Sequence, residues 1–326
     1  MLSCLSFFKF LVYAKDDKKN QKPTNDTKVN TNIKANTNNT NANPNAKKKS
    51  WFQLKHIKVN HPKNGYKKEY NSGKAWCFSQ EMKDCYIKSD EGLTLHAKYL
   101  PANDPKRTII LCHGYRGSAF GDFAYISRFL HENQCNLLFI DQRCMGESEG
   151  EYITFGAKEK YDIANWAWYV GLKTDLPIYL YGQSMGGSAV LMSSGLLLPP
   201  NVHGIISDCA FHDMKNQLKT MANDWFHLKR INILLFRVNI FCKMFANFQM
   251  NEADTTKALQ KNTRPILFFH GTKDTYVSFK NSVKNYELCR APKDLVLVND
   301  ARHLCSAYVE PNLYRKNLLK FFNKYD

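Results

Sequence analysis

The chain has no CxxC pair, no apolar run long enough to cross a bilayer, and few acids: 29 Asp and Glu against 46 Lys and Arg in 326 residues. Each shortage excludes something. The ten cysteines (Cys4, Cys77, Cys85, Cys112, Cys135, Cys144, Cys209, Cys242, Cys289 and Cys305) are scattered and offer no zinc-ligand pattern. A chain of this length does not need disulfide staples, so the thiols read as those of a reducing, cytoplasmic compartment, although an even count leaves disulfides open. No metal and no cofactor is called for. The apolar opening, Met1–Ala14 (MLSCLSFFKFLVYA), falls short of the roughly 20 residues that a spanning helix needs, and Lys9 interrupts it. It also lacks the positive n-region and small-residue cleavage site of a secretory leader. It reads as a frayed or locally packed terminus, with a degenerate signal or an interfacial anchor as the alternative.

The scarcity of acids is local. Of a net charge of +17, residues 1–50 carry +7, residues 51–90 carry +4, and the remaining 236 residues only +6. Asn20–Ala46 holds ten Asn and five Thr in 27 residues and shows no apolar periodicity, so it cannot bury enough surface to offset its ordering entropy. Residues 1–50 are therefore expected to form a disordered, basic, Asn-rich tether ahead of one folded domain over 51–326. A Lys-rich tether can attract anionic lipid, which points to peripheral membrane association through the N-terminus. Interleaved aromatics and any nucleic-acid motif are missing, so no nucleic-acid partner is expected. With 44% apolar residues, the body has material for a substantial core.

From residue 84 the pattern is regular. Residues 84–99 read as two strands around a Glu91-Gly92 turn. Six apolar runs follow: Thr108–His113, Asn136–Asp141, Pro177–Gly182, His203–Asp208, Pro265–Gly271 and Asp294–Asn299. Short apolar runs separated by helix-length gaps predict an α/β fold, with a mostly parallel central sheet and helices on both faces. Ligands of such sheets bind beyond the carboxyl ends of the strands, so the residues just after each run are the candidates.

After the third run stands Gly182-Gln183-Ser184-Met185-Gly186-Gly187, a G-x-S-x-G leading into a small-residue helix. A serine on such a strand-to-helix turn exposes its hydroxyl above the sheet, which makes Ser184 the candidate nucleophile. A second match, Gly146-Glu147-Ser148-Glu149-Gly150, lies well past its strand between two glutamates, and Ser148 reads as part of a polar turn. A serine nucleophile needs a base, and the base needs an orienting acid. Asp274 follows the fifth run, with Asp208 and Asp300 as fallbacks, and His303 alone among ten histidines lies beyond Asp274. The oxyanion hole requires two backbone N–H groups, each contributing about 3 kcal/mol to the transition state. Met185, after the nucleophile, and Tyr115, in the loop His113-Gly114-Tyr115-Arg116-Gly117-Ser118, are the expected donors. His113 reads as structural, and Arg116 as a solvated loop residue rather than an anchor for an anionic substrate.

Between Asp208 and Pro265 lie more residues than one crossover helix needs. Asp213–Leu228 and Ile231–Phe248 read as two helices of a lid over about 210–262. The second packs its apolar stripe on the body or forms an acyl-binding or membrane-facing surface; Leu234 and Phe245 on it are the candidate acyl contacts, which would favour lipophilic esters.

Taken together, H-G-x-x-G-S at 113–118, D-x-R-x-x-G-x-S at 141–148, G-x-S-x-G-G at 182–187, H-G-x-x-D-x-x-V at 270–277 and His303 resemble the α/β-hydrolase superfamily of serine hydrolases over residues 84–326. Ser207-Asp208-Cys209-Ala210 and Tyr161-Asp162-Ile163 are similar to its bacterial-type, prolyl-oligopeptidase-like or bile-acid-transferase-like group. The chain has no room for the propeller of true prolyl oligopeptidases, and Ser184 replaces the cysteine nucleophile of the acyltransferases. The resemblance implies an esterase or thioesterase acting on a small-molecule ester through an acyl-enzyme. A serine peptidase or amidase is the alternative enzyme, and a tethered scaffold with an inactive hydrolase fold the alternative outside enzymes.

Overall fold

In the computed structural model, residues 4–14, 65–226 and 231–326 are described. Each of the six apolar runs forms a strand within about one residue of its expected position: β3 (Arg107–Cys112), β4 (Cys135–Ile140), β5 (Ile178–Gln183), β6 (Val202–Asp208), β7 (Ile266–Gly271) and β8 (Lys293–Val298). The hairpin ahead of them supplies β1 (Lys83–Lys88) and β2 (Thr94–Leu100). The eight strands form one sheet in the order β1-β2-β4-β3-β5-β6-β7-β8. β1 and β2 are antiparallel, β2 is antiparallel to β4, and the other pairs are parallel. Among the described residues, the helices longer than one turn are α1 (Cys4–Val12), α2 (Lys67–Phe78), α3 (Ala124–Glu132), α4 (Glu159–Gly171), α5 (Met185–Ser193), α6 (Met214–Phe226), α7 (Ile231–Ala246), α8 (Thr256–Lys261), α9 (Lys280–Leu288) and α10 (Pro311–Tyr325).

The central strands are apolar without alternation because both faces are covered. Ile110, Leu180 and Phe268 point to one core with Trp166 of α4 and Val190 of α5. Their neighbours Ile109, Leu111, Tyr179, Tyr181, Leu267 and Phe269 point to the other, against Phe123, Leu130 of α3 and Tyr314, Leu318 and Phe322 of α10. Edge strand β1 is largely exposed. Arg143, buried just after β4, donates two hydrogen bonds to the Asp162 carboxylate on α4, at 2.6 and 2.8 Å. Burial pushes the Asp162 carboxyl up to about 6 despite the guanidinium beside it. The D-x-R motif therefore ties a strand end to a helix.

A third apolar cluster gathers residues that follow the strands. Met185 (after β5), Phe211 (after β6) and Val277 (after β7) pack with Met214, Leu218 and Ala222 of α6 and with Leu235, Val238 and Cys242 of α7. Phe7, Phe8, Leu11 and Val12 of α1 belong to the same cluster. Of the segment assigned to the tether, residues 4–14 thus lie against the body, while the Asn-rich stretch Asn20–Ala46 falls outside the described residues. Among the described residues, no disulfide joins two cysteines and no helix is long and apolar enough to cross a membrane.

Candidate active site

Ser184 sits between the last residue of β5 and the first of α5, with φ 54° and ψ −120°. A non-glycine residue there costs about 1–3 kcal/mol, which the surroundings must offset. They do so by close approach: a Cβ on Gly182 would stand 2.2 Å from the Gly186 carbonyl oxygen, and one on Gly186 2.0 Å from that of Cys112. Both glycines are obligatory, and the Ser184 amide donates to the Asp208 carbonyl at 2.9 Å. The turn holds the serine side chain half-exposed above the sheet.

His303 is buried, with Nε2 2.9 Å from Ser184 Oγ and Nδ1 2.6 Å from Asp274 Oδ2. An ionised Asp274 only accepts, so Nδ1 carries the proton and Nε2 accepts from the serine hydroxyl. Asp274 is held in turn by the Tyr276 and Val277 amides, which donate to Oδ1 at 2.8 and 2.9 Å. His270 Nε2 donates to the Val277 carbonyl at 2.8 Å and lies 3.2 Å from Asp274 Oδ2. Burial raises the Asp274 pKa, but His303 and His270 outweigh it and hold the carboxyl well below the usual range. Burial works against the imidazolium of His303, and the Asp274 charge reverses this, so its pKa lies above the ordinary histidine value. The Tyr276 ring stacks on His303 at 5.4 Å and 16°.

The fallback acids lie elsewhere. Asp208 is buried beneath the site and accepts from the Tyr314 hydroxyl at 2.9 Å, and burial pushes it up to about 6. Asp300 is exposed and pairs with Lys273 at 2.7 Å. Ser148 is buried and donates to the Asp141 carbonyl at 2.5 Å, as a polar-turn residue should. His113 is structural, accepting the Gln142 amide at 3.2 Å. Asp274, His303 and Cys209 have ligand-type atoms within 4.8 Å of one another, yet the first two are already committed to each other and to Ser184.

The loop after β3 passes over the serine, so that a Cβ on Gly114 would stand 3.2 Å from Ser184 Cβ. Asp122 pins this loop by accepting the Gly114 amide at 2.7 Å. Tyr115 stacks on Phe155 at 5.2 Å, and its hydroxyl donates to the Leu11 carbonyl at 2.9 Å. Arg116 differs from its expected solvated state. Its half-buried side chain turns back and donates to the Tyr13 carbonyl at 3.1 Å, because α1 covers this side of the loop.

Leu234 packs against the cluster that contains Met185, whereas Phe245 is 47% exposed and touches Phe8 at 5.7 Å. Sequence reasoning missed three participants: Tyr276 on His303, Phe155 under Tyr115, and α1 against the loop after β3. Tyr276 occupies an unspecified position inside the 270–277 motif, and Phe155 stands outside every motif. The third had an apolar pattern but nothing to say where it docks.

A strained serine between strand and helix, hydrogen-bonded to a histidine that a buried carboxylate orients, on a mostly parallel sheet, defines a class of architecture: the chain has the α/β-hydrolase fold. Residues 103–264 match the family described as serine aminopeptidase, S33. The chain is 26% identical over 249 residues to the uncharacterized protein YqkD of Bacillus subtilis, covering 76% of this chain and 81% of that one. It is 26% identical over 261 residues to the uncharacterized protein YfhR of Salmonella typhimurium, covering 74% and 81%. Among solved structures, it is similar to the Pyrococcus furiosus esterase Pf2001, with a TM-score of 0.63, 19% identity and coverage of 77% of this chain and 93% of that one. Est1E from Butyrivibrio proteoclasticus, solved with ferulic acid, gives a TM-score of 0.57, 20% identity and coverage of 74% and 98%.

Proposed function

We propose that the chain is a serine carboxylesterase that hydrolyses esters or thioesters through an acyl-enzyme. The observation that carries the reading is the continuous path Ser184 Oγ–His303 Nε2 at 2.9 Å and His303 Nδ1–Asp274 Oδ2 at 2.6 Å. His303 takes the Ser184 proton as Oγ attacks the carbonyl carbon, and Asp274 stabilises the imidazolium that forms. The Tyr115 and Met185 amides hold the oxyanion. The imidazolium then protonates the departing alcohol or thiol. Water, deprotonated by His303, attacks the acyl-enzyme and returns Ser184. The structural relatives described as esterases support the ester preference.

Helices α6 and α7 serve as the lid, within residues 210–262. Leu234 touches the acyl chain directly, while Phe245 acts on the pocket through its contact with Phe8. A second reading, an amidase or peptidase, is favoured by the description of the matched family as serine aminopeptidase. Matched p-nitrophenyl esters and p-nitroanilides of increasing acyl length separate the two. An esterase turns over the esters and leaves the anilides; preferential anilide cleavage overturns the proposal. Leu234→Ala is expected to reduce kcat/KM about tenfold for long acyl chains and less than about twofold for acetate, since a lost pocket contact of 1–3 kcal/mol is felt only by the chain that reaches it. An equal loss at both lengths removes Leu234 from the pocket.

A further inference from the structure

Helix α7 is apolar on two faces. Ile231, Leu235, Val238, Cys242 and Ala246 are turned inward and buried. Ile233, Phe236, Ile240 and Met244, three and four residues apart, form a second stripe that is 65%, 66%, 42% and 65% exposed. A surface helix ordinarily presents one apolar face and keeps the other polar. A second, outward stripe of large side chains leaves area in water that a partner would remove at about 25 cal/mol per Å².

Charge identifies the partner. Residues 214–248 contain six basic side chains (Lys215, Lys219, Lys229, Arg230, Arg237, Lys243) and one acid, Asp224. Helix α7 itself has no acid, and its Arg237 and Lys243 are exposed beside the stripe. Helix α1 packs on α7 through Phe8 against Phe241 and Phe245, exposes Leu5 and Lys9, and opens the segment 1–50 that carries +7. A second copy would set Arg237 and Lys243 against their own equivalents, like charge on like. An apolar stripe on a helix that carries cations and no acid of its own matches the interface of an anionic bilayer, where apolar side chains enter the acyl boundary and cations meet headgroup phosphates. At 16 residues the helix lies in the interface and does not span it.

We propose that the outer face of α7, Ile233–Phe236–Ile240–Met244 bordered by Arg237 and Lys243, docks on the surface of an anionic phospholipid bilayer. The same helix contributes Leu234 and Leu235 to the cluster around Met185, so docking brings the site's apolar cover to the membrane. The docking claim stands on exposure and charge, independently of the reaction at Ser184.

Flotation of the full-length chain with phosphatidylcholine vesicles, with and without phosphatidylserine, tests it. Binding to the phosphatidylserine vesicles that weakens with added salt is expected. The double variant Phe236→Glu/Met244→Glu should keep its melting temperature and lose at least about tenfold in vesicle affinity. Lys243→Gln should lose about fivefold, the loss of one juxtamembrane cation. Absence of wild-type binding, or unchanged binding by the folded double variant, overturns the proposal. So does a wild-type dimer that the double variant dissolves, because the stripe then serves a second copy.

Discussion

The strand ends and the apolar cluster above them hold their residues by different physics. Ser184, His303 and Asp274 are fixed by directed bonds of 2.6 to 2.9 Å, each donor meeting one acceptor. The cluster of α1, α6 and α7 is built on apolar area, Phe8 against Phe241 and Leu235 among its buried neighbours. Directed bonds fail when one atom is removed, whereas packing degrades by degrees. The proposed chemistry is therefore concentrated where replacement is least forgiving, and the adjustable material surrounds it.

The sharpest break of that contrast is at the serine. Ser184→Ala is expected to lower ester turnover by about 10⁵–10⁶, and adding His303→Ala should cost little more, because the two groups act as a unit. Steady-state kinetics of the single and double variants checks this; additive losses would mean independent roles. Asp274→Asn should cost about 10⁴ with folding intact. It should also move the pH profile. His303 accepts a proton only when neutral, and the Asp274 charge raises its pKa above the ordinary 6.5. Wild-type activity is thus lost as pH falls through a value above 6.5, and the limb should shift to lower pH in Asp274→Asn. A limb that stays in place would put the relevant titration on another group.

Gly186→Ala sharpens the comparison on stability. Its Cβ would lie 2.0 Å from the Cys112 carbonyl oxygen, so a loss of about 3–5 kcal/mol is expected in denaturant unfolding. Gly92→Ala, at φ 82° with nothing within 4 Å, should cost about 1 kcal/mol. The smallest effects belong to the packed region. Phe8→Ala should speed amide exchange in residues 4–14 while the global melting temperature moves little, because α1 opens without unfolding the sheet. Tyr115→Phe, which removes the hydroxyl bond to the Leu11 carbonyl, should do the same at about 1 kcal/mol.

The same contrast explains what was readable in the sequence. Strands β3 to β7 were legible as unbroken apolar runs because both sheet faces are covered there, and the partly exposed edge strand β8 by its run of Leu and Val. Ser184, Asp274 and His303 were legible because each follows a strand end in an order that the fold dictates. Gly182 and Gly186 mark the turn by composition alone. Tyr276 on His303, Phe155 under Tyr115 and α1 over the loop after β3 were not legible, since aromatic packing has no fixed spacing. Arg116 illustrates the cost: a loop arginine reads as solvated until the backbone of Tyr13 is found beside it. Phe245 illustrates the converse, for helical spacing places it with the acyl contacts, yet nearly half of it is exposed against Phe8.

The central claim is that Ser184 is a nucleophile activated by His303 and Asp274. Treatment of the full chain with a fluorophosphonate probe, followed by mass-spectrometric location of the adduct, tests it most directly. The account predicts one adduct, on Ser184, that is lost in Ser184→Ala and strongly slowed in His303→Ala. A wild-type chain that takes no label, or a Ser184→Ala chain that labels as fast as wild type, would contradict it.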